Sequence, residues 1–280
     1  GKNFAREDEQ KTWIAMPGLR GIGKTTILAQ LYNDPAFRQC TKIYASFDRV
    51  HTIGANIQEF ISACETYMDS SFETYDRPVA LFLDEVQYLD DWAIGIKTVV
   101  DRSRHIFVFC TGSSALSLQT DANVARRIDV IKLHPLCFTE FVMIKQAHLK
   151  QSITPPVKGL SQKINDAVFK SANAKDAHGQ LIPLASQVNQ YWKRTGFSRN
   201  ELFGEYLAYG TLPFTLDLPN RATIWDRINR ILSESLDRDV TSFGRFDGPT
   251  VSAIPQMLFL LASSVEISIN SLCTTLNMNQ

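Results

Sequence analysis

The chain has 280 residues, enough for one large domain or two smaller ones, and its 44% hydrophobic and 21% charged content is that of a globular protein with a real core. Lys and Arg number 29, as do Asp and Glu, so the basic excess of a nucleic-acid-coating protein is excluded and any such role would need a local patch. The apolar run Met257-Leu258-Phe259-Leu260-Leu261 is far too short to span a bilayer, and Gly1 to Glu9 has no apolar signal-peptide core, so a cytoplasmic protein with no membrane partner is expected.

Thr12-Trp13-Ile14-Ala15-Met16 reads as a short apolar strand. It leads into Gly18-Leu19-Arg20-Gly21-Ile22-Gly23-Lys24-Thr25, which fits the phosphate-loop pattern G-x-x-x-x-G-K-[ST] at every fixed position. Thr26 to Tyr32 then carries apolar residues at helical spacing. A strand, a glycine-rich turn and a helix N-terminus make an anion site, because free backbone N–H groups and the helix dipole converge on one point. The residues from Gly18 to Thr25, with Thr26 behind them, are the expected nucleotide-binding set. Lys24 is expected to reach the β- and γ-phosphates and the Thr25 hydroxyl to ligate Mg²⁺.

Beyond the break at Asn33-Asp34-Pro35, a second strand is expected over residues 42–48. The apolar positions Ile57, Phe60, Ile61, Cys64 and Met68 mark the face of a helix over 55–68. Pro78 to Leu83 is a continuous apolar run of the kind found in buried parallel strands, and it ends in Asp84-Glu85. A helix over 92–100, a strand over 105–110, the polar turn Thr111-Gly112-Ser113-Ser114, a helix leading to Arg126-Arg127 and a strand over 128–133 complete an alternation that predicts a parallel α/β sheet covered by helices on both faces. The pattern changes near residue 150. Residues 170–180 read as a polar loop, 197–236 as mainly helical with breaks at Pro213 and Pro219, and 255–263 as an apolar helix with Pro255 in its first turn. The five cysteines are scattered with no C-x-x-C pair, which points to reduced thiols, Cys64 and Cys110 being buried, and not to a zinc site.

In a parallel sheet the C-terminal strand ends share one edge, so Asp84 and Glu85 are expected to face the loop phosphates. Asp84 suits support of Mg²⁺, and Glu85 suits polarising the attacking water. Ser113 and Ser114, with Thr111 behind them, suit a hydrogen bond to the γ-phosphate, or equally a helix cap. Arg126 or Arg127 suits neutralising charge on the γ-phosphate, or equally a solvated pair at a helix end. The five histidines show no metal spacing.

Three phrases together are specific. Leu83-Asp84-Glu85-Val86-Gln87-Tyr88-Leu89-Asp90-Asp91-Trp92, Thr111-Gly112-Ser113-Ser114-Ala115 and Leu133-His134-Pro135-Leu136-Cys137-Phe138-Thr139-Glu140-Phe141 resemble the prokaryotic AAA-type ATPase family, strongly over residues 12–145. The resemblance implies a P-loop nucleotide-binding domain (1–150), a smaller all-helical lid (151–243) and the N-terminal part of a winged-helix domain (244–280). Where the family usually carries a double glycine two residues before a proline, this chain has Gly210-Thr211 and then Pro213, so lid contact with the nucleotide is implied at Gly210 and Pro213. Only 17 residues precede Gly18, where the family often has an adenine-contacting segment, so an incomplete base pocket is expected. Residues 265–280 resemble the first half of a helix-turn-helix. The expectation is a fragment of a longer protein that does not bind DNA by itself.

The leading reading is an ATP-binding ATPase, with ATP or ADP and Mg²⁺ as ligands, hydrolysis coupled to a conformational switch, and self-association where an arginine acts in trans. The alternative is a nucleotide-gated regulator or scaffold with little turnover. A small-molecule kinase ranks last, since residues 181–215 offer only Arg194 and Arg199 for a second substrate.

Overall fold

Strand β1 (Lys11–Pro17) runs straight into the glycine loop, and in the computed structural model it lies between two other strands of a five-stranded parallel sheet. The structure describes residues 11–112, 126–236, 248–264, 266 and 268–276. The remaining strands are β2 (Thr41–Ser46), β3 (Val79–Asp84), β4 (Ile106–Gly112) and β5 (Asp129–Val130), in the spatial order β2-β3-β4-β1-β5. The register sets Pro17 beside Gly112, Leu83 beside Cys110 and Ser46 beside Asp84. The ends of β1, β3 and β4 therefore share one edge, and the chain order reverses at β1, where such sheets bind ligands.

Alternation along β3 builds the core on both faces. Val79, Leu81 and Leu83 point to one side, where they join Trp13, Ala15, Val108 and Cys110 beneath α3 (Ile57–Met68) and α4 (Trp92–Arg102). Ala80 and Phe82 point to the other side and meet Met16, Leu28, Phe37, Phe107 and Phe109, with Leu28 supplied by α1 (Lys24–Tyr32). Phe82 is fully buried and makes edge contacts with the rings of Tyr32 and Phe37. Phe82→Ala is expected to destabilise the protein by about 3–5 kcal/mol, through lost transfer energy and the cavity left behind, as read by urea unfolding.

Local chemistry sets the boundaries. The helix expected from residue 55 begins at Ile57, because Asn56 caps it and Glu59 closes a capping box. The second strand stops at Ser46 and not at 48: Asp48 accepts from the Ser46 hydroxyl and the Arg49 N–H, turning the chain into α2 (Phe47–Thr52). The strand expected over 128–133 shrinks to Asp129–Val130, an exposed edge pair with β1 as its neighbour, extended by the bonds from Ile131 N to Ala15 O and from Leu133 N to Pro17 O. Burial pushes the Cys64 and Cys110 thiols up to about 12, and among the described residues all five-cysteine positions carry free thiols.

The chain divides into two compact units. The first holds Gly1–Arg20, Lys24–Leu133 and Arg221–Gln280, and the second holds Gly21–Gly23 and His134–Asn220. The second unit is helical, with Phe141, Val142 and Leu202 at its core and Phe138, Trp192 and Tyr206 packed against them. Its longest helix, Ala174–Thr195, overturns the polar loop expected over 170–180. Asn173 caps that helix through the Asp176 N–H, and its first turns are exposed, so their polarity marks a solvated face. A second correction concerns Pro255, which lies inside the helix Gly248–Ser263 and not in its first turn. That helix has no buried residue, so water can satisfy the carbonyl the proline leaves unbonded. No helix among the described residues is long and apolar enough to cross a membrane.

Candidate nucleotide site

The glycine loop is shaped by two left-handed residues, Gly21 at φ 80° and Gly23 at φ 96°, a region that costs a residue with a Cβ about 1–2 kcal/mol. The loop is anchored to the sheet by Gly18 N donating to Gly112 O at 3.2 Å. Helix α1 starts at Lys24, so the backbone N–H groups of Lys24, Thr25 and Thr26 belong to its first turn. Ile22 is buried, whereas Leu19 is exposed. Lys24 is 5% exposed, and its ammonium donates to the carbonyls of Gly18 and Leu19, each at 3.0 Å. A cation curled back onto its own loop is available to exchange those carbonyls for phosphate oxygens. Arg20 extends instead to the Tyr88 hydroxyl at 2.8 Å and stands 3.9 Å from Glu234.

Asp84, at the end of β3, is 3% exposed, and a carboxylate so buried needs donors on its oxygens. Thr25 Oγ1 donates to Oδ2 at 2.8 Å, and the Thr111 hydroxyl donates to Oδ1. With its hydrogen spent on Asp84, the Thr25 hydroxyl keeps its lone pairs, and a hydroxyl beside a carboxylate is the all-oxygen donor set that Mg²⁺ takes. Thr111 is completely buried; its oxygen also accepts from the Glu85 N–H at 3.4 Å. Its hydroxyl is therefore engaged with Asp84, a supporting place that only the register of β3 against β4 brings about.

Glu85 is a non-glycine residue at φ 53°, so the strand turns sharply after Asp84 into the short 3₁₀ turn Val86–Tyr88. This turn returns Gln87, whose Nε2 donates to Glu85 Oε2 at 2.6 Å. Neither Gln87 nor Tyr88 was assigned a role by the sequence pattern. The only signal was their place directly behind Asp84-Glu85.

The other expected site residues lie as follows. Ser113 and Ser114 fall outside the described residues. Arg126 and Arg127 are both exposed, and the Arg127 guanidinium pairs with Asp101 near the end of α4. In the second unit, Gly210 is buried: a Cβ there would come within 2.8 Å of the Phe141 ring. Pro213 Cγ stands 4.0 Å from where a Cβ on Gly23 would lie. Leu136 N donates to Thr211 O, and Tyr206 OH donates to Leu136 O, both at 2.9 Å. The phrase around His134–Phe141 and the phrase around Gly204–Pro213 are thus one packed structure.

A parallel sheet with this order, a phosphate loop after its inner strand β1 and an acidic end on β3 define a P-loop nucleotide-binding fold. Residues 10–142 match the family model described as an AAA domain. An uncharacterized protein of Methanocaldococcus jannaschii, MJ1637, is similar at 27% identity over 276 residues, which is 97% of this chain and 53% of that protein. The chain thus spans about half the length of the curated relative it matches. Among solved structures, AMPPCP-bound DnaA from Aquifex aeolicus is similar at 16% identity and a TM-score of 0.38, over 66% of this chain and 58% of that one. RuvB from Thermotoga maritima is similar at 14% identity and a TM-score of 0.36, over 61% of each chain.

Proposed function

We propose that this chain binds ATP and hydrolyses it with Mg²⁺, and that the change in bound nucleotide drives a conformational switch. The observation that carries the reading is the hydrogen bond from Thr25 to Asp84, which joins the phosphate loop to the acidic strand end in one oxygen-lined site. Lys24 and the N–H groups of Gly21 to Thr26 would hold the phosphates. Thr25 and Asp84 would hold Mg²⁺, which when bound supplies charge neutralisation on the phosphate oxygens. Thr111 orients Asp84 by donating to it. Glu85 orients the attacking water and draws its proton toward the carboxylate as the water adds to the γ-phosphorus and the bond from that phosphorus to the β–γ bridging oxygen breaks, with ADP leaving. Ser113 or Ser114 would report the γ-phosphate, Gly210 and Pro213 would belong to the lid side, and Arg126 or Arg127 would stabilise transferring charge in its own or a neighbouring subunit. Domain limits at about 150 and 243, with a winged-helix beginning after the latter, and a cytoplasmic location belong to the same proposal.

The test is phosphate release from ATP measured against protein concentration, with and without EDTA. Release that vanishes with EDTA is the expected result, and a specific activity that rises with concentration assigns the arginine to a neighbouring subunit. Nucleotide that co-purifies without release would select a gated regulator over an ATPase.

A further inference from the structure

The turn after β3 holds a side chain that neither the phosphate loop nor the metal ligands account for. Gln87 sits two residues beyond Glu85, and its Nε2 donates to Glu85 Oε2 at 2.6 Å. Its other amide atom, Oε1, is buried and lies against the end of β4, 2.8 Å from where a Cβ on Gly112 would stand. The next nearest of the atoms around that added carbon are Gln87 Cδ, at 3.8 Å, and Val86 Cγ2, at 3.9 Å. Gly112 has no positive φ, so its backbone does not require glycine there. The missing side chain makes room for the Gln87 amide.

We propose that Gln87 is a positioning residue for Glu85, and that Gly112 leaves the space in which the Gln87 amide is held. The inference rests on the proposed role of Glu85 in orienting water. A carboxylate at the end of a two-carbon side chain has freedom about three torsions, and a charge-assisted hydrogen bond on one oxygen removes most of it. With Oε2 engaged by the amide, Oε1 is presented in one orientation to a water. The donor is neutral, so it fixes the carboxylate without cancelling the negative charge that polarises the water. The Gln87 amide is in turn confined on its far side by the β4 backbone at Gly112. The three residues form a chain of fixed orientations from the sheet edge to the base.

Three variants test this, each read as kcat, KM for ATP, and nucleotide affinity by direct binding. Gln87→Ala is expected to lower kcat about tenfold or more, with KM and affinity unchanged, because the bond removed is one to a charged group. Gln87→Glu keeps the shape and loses the donor, and is expected to lose kcat to at least the same degree. Gly112→Ala places its methyl against the far end of a flexible side chain, which can shift, so the protein is expected to fold normally and yet show the kcat loss of Gln87→Ala. The double variant Gln87→Ala with Gly112→Ala is expected to be no slower than Gln87→Ala alone, since Gly112 acts through Gln87. Wild-type kcat in Gln87→Ala and Gln87→Glu would overturn the proposal, as would losses at 87 and 112 that multiply. Glu85→Gln separates this failure from that of the base: if Glu85→Gln keeps full turnover, the role of Glu85 falls and this inference with it. If Glu85→Gln is inactive while the Gln87 variants are not, this inference alone fails.

Discussion

Glu85→Gln is expected to bind nucleotide as the wild type does and to lose turnover by about 10²–10⁴-fold, the range a positioned general base contributes. The substitution is nearly isosteric. Both residues carry a Cβ and meet the same cost at φ 53°, so the turn after β3 is not relieved or strained by the change. The new amide can still offer its oxygen to Gln87 Nε2, where Glu85 now accepts. What disappears is the negative charge and the capacity to take a proton. The contacts expected to hold phosphate, from Lys24 and the loop N–H groups, are on other residues, so affinity is not touched. The measurement is phosphate release in parallel with binding of a fluorescent nucleotide. Unchanged release in Glu85→Gln would reject the assignment of the base, and lost binding would show that the carboxylate supports the loop instead.

The parts of this molecule that could be read in advance are those whose physics is local in sequence. The phosphate loop is eight consecutive residues, with its glycines at Gly21 and Gly23 doing the conformational work at positive φ. The buried strand β3 announces itself as an uninterrupted apolar run ending in acid, and all six of its residues are buried. The resemblance of residues 12–145 to AAA-type ATPases, carried by three phrases, agrees with the family match over residues 10–142. What could not be read depends on register or on long-range packing. Thr111 looked like a phosphate contact, but its partner Asp84 is 27 positions away and is met only because β3 and β4 pair in parallel. Residues 174–180 looked like a loop because a solvated helix face and a loop share a polar composition; the buried Leu184, Tyr191 and Thr195 further along are what hold that helix in place. Gly112 read as turn punctuation, whereas the space above it is taken by Gln87.

The second large effect is expected at Lys24, and Met is the substitution that isolates it. Lys24→Met keeps most of the buried stem and removes the charge, whereas Lys24→Ala also opens a cavity. The ammonium is buried and donates to Gly18 O and Leu19 O, both at 3.0 Å. Removing the buried charge lifts its desolvation cost, and the two carbonyls left behind belong to Gly18 and Leu19, neither of which is buried, so water can take the place of the ammonium. Lys24→Met is therefore expected to unfold at the same denaturant concentration as the wild type or a higher one. Nucleotide binding should move the opposite way. Two charge-assisted hydrogen bonds to phosphate oxygens, at about 1.5–3 kcal/mol each, correspond to a loss of about 10²–10⁴-fold in affinity, which places binding beyond detection at ordinary protein concentrations. Lys24→Ala should lose binding to the same extent while being less stable. The pair of measurements, urea unfolding and nucleotide titration, thus separates what this lysine does for the fold from what it does for the ligand. Wild-type affinity in Lys24→Met would mean that the loop backbone alone holds the phosphates, and that the lysine is there to satisfy Gly18 and Leu19.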